Sequence, residues 1–383
     1  MPWNVLSKMK LRAEFSVLAS EDSSNISALC RQYGISRKTG YKWLSRYQSE
    51  GTAGLAEQER RPKHSPNRTP PAIEALILAV REVNPCWGGR KIRARLSHQQ
   101  HTQLPSASTI TEILRRHGKI SEEASQQHRA FCRFERADPN ELWQIDFKGY
   151  VVYQHAQSGR SRCYPLTILD DHSRYSLCVD ACGNEQRLTV QQSLIATFRK
   201  YGLPKQMTMD NGSPWGLGAE HRHTRLTVWL MHLGVRVSHS RPYHPQTQGK
   251  DERFHRTLKA ELLQRFEGHS LEEYQQAFDA WRERYNTERP HQALGDQVPA
   301  SRYRRSDRNY PEQLPPLVYP SDTQMRKVQQ DGVIFFQGRV PVIGKAFMGY
   351  AVGLKPTATD GIFDAYFGDH WIKQINMHEA EKA

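Results

Sequence analysis

The stretch 142–147 does most to constrain what this chain can fold into. Trp143, Ile145 and Phe147 alternate there with polar residues, which is the period-two pattern of a strand with one apolar face. Asp146 falls on the opposite face of that strand. The sequence therefore predicts a strand that carries a carboxylate away from its apolar side, and Asp146 is the first candidate site residue.

The segments after this strand predict a mixed α/β layer. Strands are expected over 165–169 and 175–182, a helix over 189–201, and a short strand over 206–209 that ends in Asp210, the second candidate. Three strands followed by alternating helix and strand is the order of a sheet with helices on its faces. Asp170 and Asp171 are predicted turn formers. The alternative is that one of them lies near the site, because turns at strand ends can line one.

Helical geometry selects the third acid. In the segment 240–263, measured around a helix from Glu252, that acid lies within about 60° of a set of mostly basic residues and away from the apolar stripe. That set is His255, Arg256, Lys259 and Leu263, and the stripe is Phe254, Leu258 and Leu262. The neighbouring Asp251 would point at the core, so it is predicted as an N-cap. Lys250, Arg256 and Lys259 are candidate DNA contacts beside Glu252.

The charge of the chain indicates a polyanionic partner. Lys and Arg number 54 against 40 Asp and Glu, a formal charge of +14. Basic side chains that neutralise phosphates bind nucleic acid without regard to sequence. No apolar run approaches the roughly 18 residues that would span a bilayer, so we expect a cytoplasmic, DNA-associated protein with no membrane contact.

The N-terminal segment 26–47 has the pattern of a helix-turn-helix. Gly34 supplies a turn, and Ser36 is a good N-cap for a second helix that directs basic residues outward. The N-terminal part of such a helix lies at base edges in the major groove. The candidate DNA contacts are therefore Ser36, Arg37, Lys38, Thr39, Tyr41 and Lys42. Gly40 departs from the pattern, because glycine inside a helix costs about 1 kcal/mol relative to alanine.

A second helical module is predicted over 72–120. We interpret it as a degenerate helix-turn-helix whose candidate DNA contacts are Arg90, Lys91, Arg93, Ser108 and Thr109. The basic, proline-rich stretch 56–71 between the modules is predicted to be a linker that either tracks a phosphate backbone or is a solvated tether. From about residue 317 the pattern becomes extended again and predicts a small β-barrel.

The three acidic motifs together resemble one family. Asp146 in WQIDFKG, Asp210 in MTMDNGSP and Glu252 in RPYHPQTQGKDERFHRTLKAEL look like the acidic residues of DDE transposases of the retroviral-integrase-like superfamily. With the two N-terminal helix-turn-helix units, the chain resembles bacterial insertion-sequence transposases over most of its length. The resemblance implies an α/β multidomain protein with an RNase H-like catalytic domain. The expected domains are 1–55, 72–125, 136–305 and, for the barrel, 316–376.

The resemblance also implies chemistry. It implies two Mg²⁺ ions, or Mn²⁺ in their place, with Asp146 bridging both ions, Asp210 on one and Glu252 on the other. Two divalent ions clamp the attacking and leaving oxygens of an in-line phosphoryl transfer. The expected function is cleavage of the terminal repeats of a mobile element and their transfer to target DNA. The pairing of two element ends implies a homodimer or a larger oligomer.

Two alternatives and one departure stay open at this point. The chain could be a regulatory helix-turn-helix protein that has lost catalysis, or a hydrolytic nuclease of the same fold. The spacing of Asp210 and Glu252 is longer than is common in the superfamily, and the excess is expected in Trp215–Arg225. We interpret this stretch as a basic DNA-contacting insertion rather than as a metal site built on His221 and His223.

Overall fold

A computed structural model of the chain describes residues 7–57, 69–120, 135–216, 223–239 and 249–378. The chain forms two compact units, Met1–Arg68 and Thr69–Ala383. Most of the predicted linker, residues 58–68, lies outside the described residues. No helix in the described ranges is long and apolar enough to cross a membrane.

The first unit is a small helical domain. Its helices are α1 (Lys8–Ala19), α2 (Ile26–Gln32) and α3 (Arg37–Glu50), followed by a 3₁₀ turn at Gly51–Leu55. The Ser36 hydroxyl accepts a hydrogen bond from the backbone N–H of Thr39 at 3.2 Å, so Ser36 is the N-cap of α3 as the sequence predicted. The predicted helix-turn-helix is confirmed, with α2 and α3 as its two helices.

Close packing explains the glycine inside α3. Gly40 is buried, and a Cβ at this position would lie 2.5 Å from Cys30 Sγ and 2.9 Å from Phe15 Cζ. Phe15 and Cys30 belong to the core of this unit together with Leu44. The missing side chain lets α3 approach α1 and α2, which offsets the low helix propensity of glycine.

The substitution Gly40→Val is expected to destabilise this unit by about 1–3 kcal/mol, because the added atoms overpack a closed core. Hydrogen–deuterium exchange on the full chain measures the effect as faster exchange of the α2 and α3 amides. Ser45→Ala, at an exposed position of the same helix, is the control. Unchanged protection in the Gly40→Val protein would contradict the packing argument.

The second unit begins with three helices. They are α4 (Pro71–Val83), α5 (Gly89–His98) and α6 (Ala107–Arg116), and they enclose a core that contains Ile77, Ile92 and Ile110. The Ser106 hydroxyl accepts from the backbone N–H of Thr109 at 3.1 Å and caps α6. The predicted second helical module is therefore present.

A six-stranded mixed sheet follows. Its strands are β1 (Trp143–Phe147), β2 (Val151–His155), β3 (Gly159–Asp170), β4 (Ser176–Cys182), β5 (Gln206–Met209) and β6 (Arg236–His239). Strands β2, β3, β1, β5 and β6 are neighbours in that order, and β4 pairs with β3. Strand β1 is antiparallel to β3 and parallel to β5. The predicted mixed sheet is confirmed, with β2 and β6 as strands that the sequence pattern did not predict.

Helices cover the sheet through two separate cores. Helices α7 (Arg187–Tyr201) and α8 (Arg225–His232) pack on the core that contains Trp143 and Ile145. Helices α9 (Gly249–Leu258) and α10 (Leu271–Thr287) pack on a second core through residues such as Phe254 and Phe278. The face of β1 that carries Asp146 is therefore turned toward α9.

The C-terminal residues form an antiparallel sheet. Its strands are β7 (Gln324–Lys327), β8 (Ala351–Pro356), β9 (Ile362–Phe367) and β10 (His370–Asn376), in the spatial order β10-β9-β8-β7. The predicted closed barrel is not confirmed. Within the described residues β7 and β10 remain the outer strands, and the stretches predicted as strands near 332–343 form only isolated bridges, Val333 to Val342 and Phe336 to Arg339.

Candidate functional site

Two of the three predicted acids lie at the ends of neighbouring parallel strands. In the pairing of β1 with β5, Trp143 lies opposite Met207 and Gln144 opposite Thr208. Continuing this register by two residues sets Asp146 opposite Asp210. Because parallel strands end at the same edge of a sheet, the two carboxylates lie side by side.

Burial and mutual repulsion perturb these two acids. Burial, and next the charge of Asp210, raise the pKa of Asp146 to about 7. Burial also raises the pKa of Asp210, although the backbone N–H of Gly212 donates to its Oδ1 at 3.1 Å and favours the charged form. Two like-charged groups in a half-buried site disfavour double ionisation. A bound cation would relieve this repulsion.

His255 lies next to Asp146, and the hydrogen bonds of its ring indicate which nitrogen carries the proton. The Thr167 hydroxyl donates to the backbone carbonyl of Asp146 at 3.0 Å and lies 2.8 Å from His255 Nε2. Since the single hydroxyl proton is used, Nε2 carries a proton and donates to Thr167 Oγ1. Burial lowers the pKa of His255 to about 3, so the ring is neutral. Its unprotonated Nδ1 faces Asp146 Oδ2 at 3.9 Å.

Glu252, the third candidate acid, and its neighbour Asp251 lie on different faces of helix α9. Glu252 is exposed, whereas Asp251 is only 2% exposed and lies close enough to Asp146 and Asp171 for their charges to act on it. The expectation that Asp251 caps the helix is wrong. The helix begins at Gly249, so Asp251 is its third residue, and the side chain turns inward.

One residue that was predicted to share a face of α9 with Glu252 lies elsewhere. Arg256 and Lys259 are exposed like Glu252, as expected, but His255 is buried against the sheet. The chain also changes to a π-helix over Lys259–Leu263, so angles projected from a regular α-helix fail beyond Leu258. Phe254 and Leu262 lie in the core, as the apolar stripe predicted.

Lys250, one of the candidate DNA contacts, forms an ion pair within the protein. Its ammonium donates to the carboxylate of Asp171 at 2.5 Å, and its side chain is 16% exposed. The turn that bears Asp171 also bears Asp170, which accepts from the backbone N–H and the hydroxyl of Ser173. Asp170 is a turn former as predicted. Asp171 instead reaches α9, a contact between residues far apart in sequence that no local pattern could indicate.

The donor set suits a hard divalent cation but is incomplete. Asp146 and Asp210 offer carboxylate oxygens, which Mg²⁺ and Mn²⁺ prefer. Within the described residues, no three His, Cys, Asp or Glu side chains come close enough together to hold a metal ion. The structure thus brings Asp146 and Asp210 together and leaves Glu252 on the outer face of α9.

The two described ends of the stretch predicted as an insertion pack against the rest of the fold. Trp215 is buried and packs against the ring of Phe147, and Thr224 caps α8, which begins at Arg225. His223 packs against the edge of Phe347. Residues 217–222, which include His221, fall outside the described residues, so the interpretation of this stretch as a DNA-contacting insertion stays a prediction.

The candidate DNA contacts of the first unit lie on one helix. Ser36, Arg37, Lys38, Tyr41 and Lys42 are exposed and Thr39 is half-buried. The ammonium of Lys42 also lies 4.5 Å from the centre of the Trp43 ring. The N-terminal turns of α3 therefore present a basic, accessible surface, as a helix that enters a DNA groove requires.

In the second module the candidates divide between two surfaces. Ser108 and Thr109 are exposed at the start of α6. Arg90 forms an ion pair with Asp296 at 3.4 Å, and burial with the charge of Arg289 lowers the pKa of Lys91 to about 7. Arg93 donates to the carbonyl of Pro105 at 3.2 Å. Helix α5 is thus partly turned toward the domain that follows it.

Comparison with protein families gives matches along most of the chain. Residues 12–63 match a helix-turn-helix domain and 39–114 match a homeodomain-like domain. The integrase core domain matches 136–245 and, in a second form, 233–299. The C-terminal domain of IS481 family transposases matches 323–383.

Individual proteins with similar sequences come from bacteria and viruses. The transposase for transposon Tn552 of Staphylococcus aureus is 24% identical over 64% of this chain, and the match spans 54% of that protein's own length. An uncharacterised protein of insertion element IS476 from Xanthomonas euvesicatoria is 24% identical over 76% of this chain and 82% of its own. The catalytic core domain of BIV integrase aligns over 42% of this chain and 92% of its own, with 21% identity and a TM-score of 0.31.

Proposed function

Since this chain is an integrase-core protein of the insertion-sequence transposase type, we propose that it cuts the ends of a mobile DNA element and joins them to target DNA. The observation that carries the proposal is the pair Asp146 and Asp210 at the ends of adjacent parallel strands. Hard oxygen ligands on separate segments are what phosphoryl transfer by two divalent ions requires.

The proposed site uses three carboxylates. Asp146 and Asp210, with Glu252 as the third, would hold two Mg²⁺ ions or Mn²⁺ in their place. Bound ions would act as Lewis acids on the attacking and leaving oxygens of the phosphodiester. The neutral ring of His255 donates a hydrogen bond from Nε2–H to Thr167 Oγ1 and leaves the carboxylate of Asp146 free to act as a ligand.

DNA is held by basic surfaces on separate helices in this proposal. The start of α3 and the start of α6 would read the terminal repeat, because both present exposed side chains at a capped helix N-terminus. Arg256 and Lys259 would contact the DNA backbone next to the acids. Two element ends cut together require at least two copies of the chain, so we propose a dimer or a larger assembly on DNA.

The decisive experiment incubates the protein with Mg²⁺, labelled element-end DNA and a target plasmid. Cut ends and joined products support the proposal. Binding without cleavage would favour a regulatory helix-turn-helix protein, and cleavage without joined products would favour a hydrolytic nuclease. Omission of the metal is the control, and activity that persists in chelator would contradict a metal-dependent site.

Lys259→Ala is expected to weaken binding of all DNA sequences alike and to reduce the salt dependence of log K by about 0.9, the contribution of one phosphate contact. Fluorescence anisotropy at several salt concentrations measures this slope. Lys200→Ala, on α7 at the opposite face of the sheet, is the control. The same slope for Lys259→Ala and wild type would exclude a phosphate contact by Lys259.

A further inference from the structure

Asp171 is a fully buried carboxylate that accepts hydrogen bonds from three separate parts of the described fold. Its Oδ2 accepts from the backbone N–H of Arg136 at 2.9 Å. Its Oδ1 accepts from Gln144 Nε2 at 3.0 Å and from Lys250 Nζ at 2.5 Å. A buried carboxylate is tolerated only when it is bonded and paired in this way.

The two donors to Oδ1 each lie two residues before a proposed acid. Gln144 precedes Asp146 by two residues on β1, so the two side chains share a face of the strand. Lys250 precedes Glu252 by two residues in the first turn of α9. One carboxylate oxygen thus joins the strand that carries Asp146 to the helix turn that carries Glu252.

The neighbouring Asp170 shows that the turn itself does not need this contact. Asp170 is equally buried, and its bonds go to the backbone N–H of Asn140 and to the N–H and hydroxyl of Ser173. Those contacts account for the turn between β3 and β4. The bonds of Asp171 to Gln144 and Lys250 are not part of this turn, and they connect the turn to β1 and to α9.

We propose that Asp171 is a positioning residue that sets α9 against β1, so that Glu252 can join Asp146 and Asp210 on a common pair of divalent ions. This inference rests on the proposed function and assigns a role to a residue outside the three acids. The ion pair is shielded from water, since Lys250 is 16% exposed and Asp171 not at all. A shielded pair holds its geometry better than an exposed one, because water and salt screen it little.

The test compares Asp171→Asn with Asp170→Asn, two isosteric changes at adjacent buried carboxylates. Mn²⁺ binding to the DNA-free protein is measured by electron paramagnetic resonance, and backbone mobility by hydrogen exchange of residues 249–253. For Asp171→Asn we expect Mn²⁺ affinity to fall by about 10-fold or more, as for residues that support metal ligands, with faster exchange in the first turn of α9. Asp170→Asn should reduce stability and leave Mn²⁺ affinity within about two-fold of wild type.

A second pair of variants keeps the test valid if Asp171→Asn folds poorly. Lys250→Gln removes the partner from the more accessible side and should reproduce the loss of Mn²⁺ affinity, whereas Lys250→Arg keeps a cation and should restore part of it. Equal Mn²⁺ affinity in wild type, Asp171→Asn and Lys250→Gln would overturn the positioning role alone. A wild-type protein that binds no Mn²⁺ and cuts no DNA would overturn the proposed function, and this inference with it.

Discussion

Asp146→Asn is expected to lower cleavage and joining of element-end DNA by more than about 1,000-fold, equivalent to about 4 kcal/mol in the activation barrier. Asparagine keeps the shape of the side chain but removes the negative charge that a divalent ion requires. Asp146 lies next to Asp210 at the edge of the sheet. It is the one acidic residue of β1, so this strand offers no carboxylate to replace it. The same loss is expected for Asp210→Asn.

The measurement is a single-turnover cleavage assay beside a binding assay on the same DNA. Binding should remain within about two-fold of wild type, because the surfaces proposed to hold DNA are on α3, α6 and α9. Asp180→Asn on β4 is the matched control, since it makes the same chemical change on the same sheet away from the pair. Cleavage by Asp146→Asn at the wild-type rate would eliminate Asp146 as a metal ligand.

The position of Asp146 and Asp210 could be predicted because both depend on local pattern. The alternation of Trp143 and Ile145 determines the face of Asp146, and both apolar side chains are buried in the core as expected. Asp210 directly follows a strand whose predicted bounds match β5. Parallel pairing of two such strands then suffices to bring the carboxylates together.

The surroundings of the pair could not be predicted, because they depend on contacts between distant segments. Thr167 and His255 meet across the sheet and α9, and Asp171 meets Lys250 after 79 residues. Local pattern also says nothing about the closure of a sheet, which requires pairing of its outer strands. Of the C-terminal strands, β8 and β9 were predicted and β7 and β10 were not, while the segments predicted near 332–343 form only isolated bridges and the barrel was not confirmed.

Glu252→Gln and Asp251→Asn are expected to separate the two acids at the start of α9. We expect Glu252→Gln to lower cleavage by more than about 100-fold and Asp251→Asn by less than about 10-fold. Asp251 is only 2% exposed, so its carboxylate is shielded from the surface on which DNA is proposed to lie. Glu252 has the longer side chain and shares the exposed face with Arg256 and Lys259, where DNA is proposed to lie.

The same two variants also test whether Glu252 moves toward the other two acids. Glu252 is on the outer face of the helix, so its participation requires a rotation of its side chain when metal binds, while the Lys250–Asp171 contact holds the first turn against β1. Hydrogen exchange of residues 249–253 in the presence of Mn²⁺ and element-end DNA should then show protection that Glu252→Gln lacks and Asp251→Asn retains. If Asp251→Asn is the inactive variant and Glu252→Gln cuts DNA normally, the inward-facing acid is the third ligand and the helix-face argument for Glu252 fails.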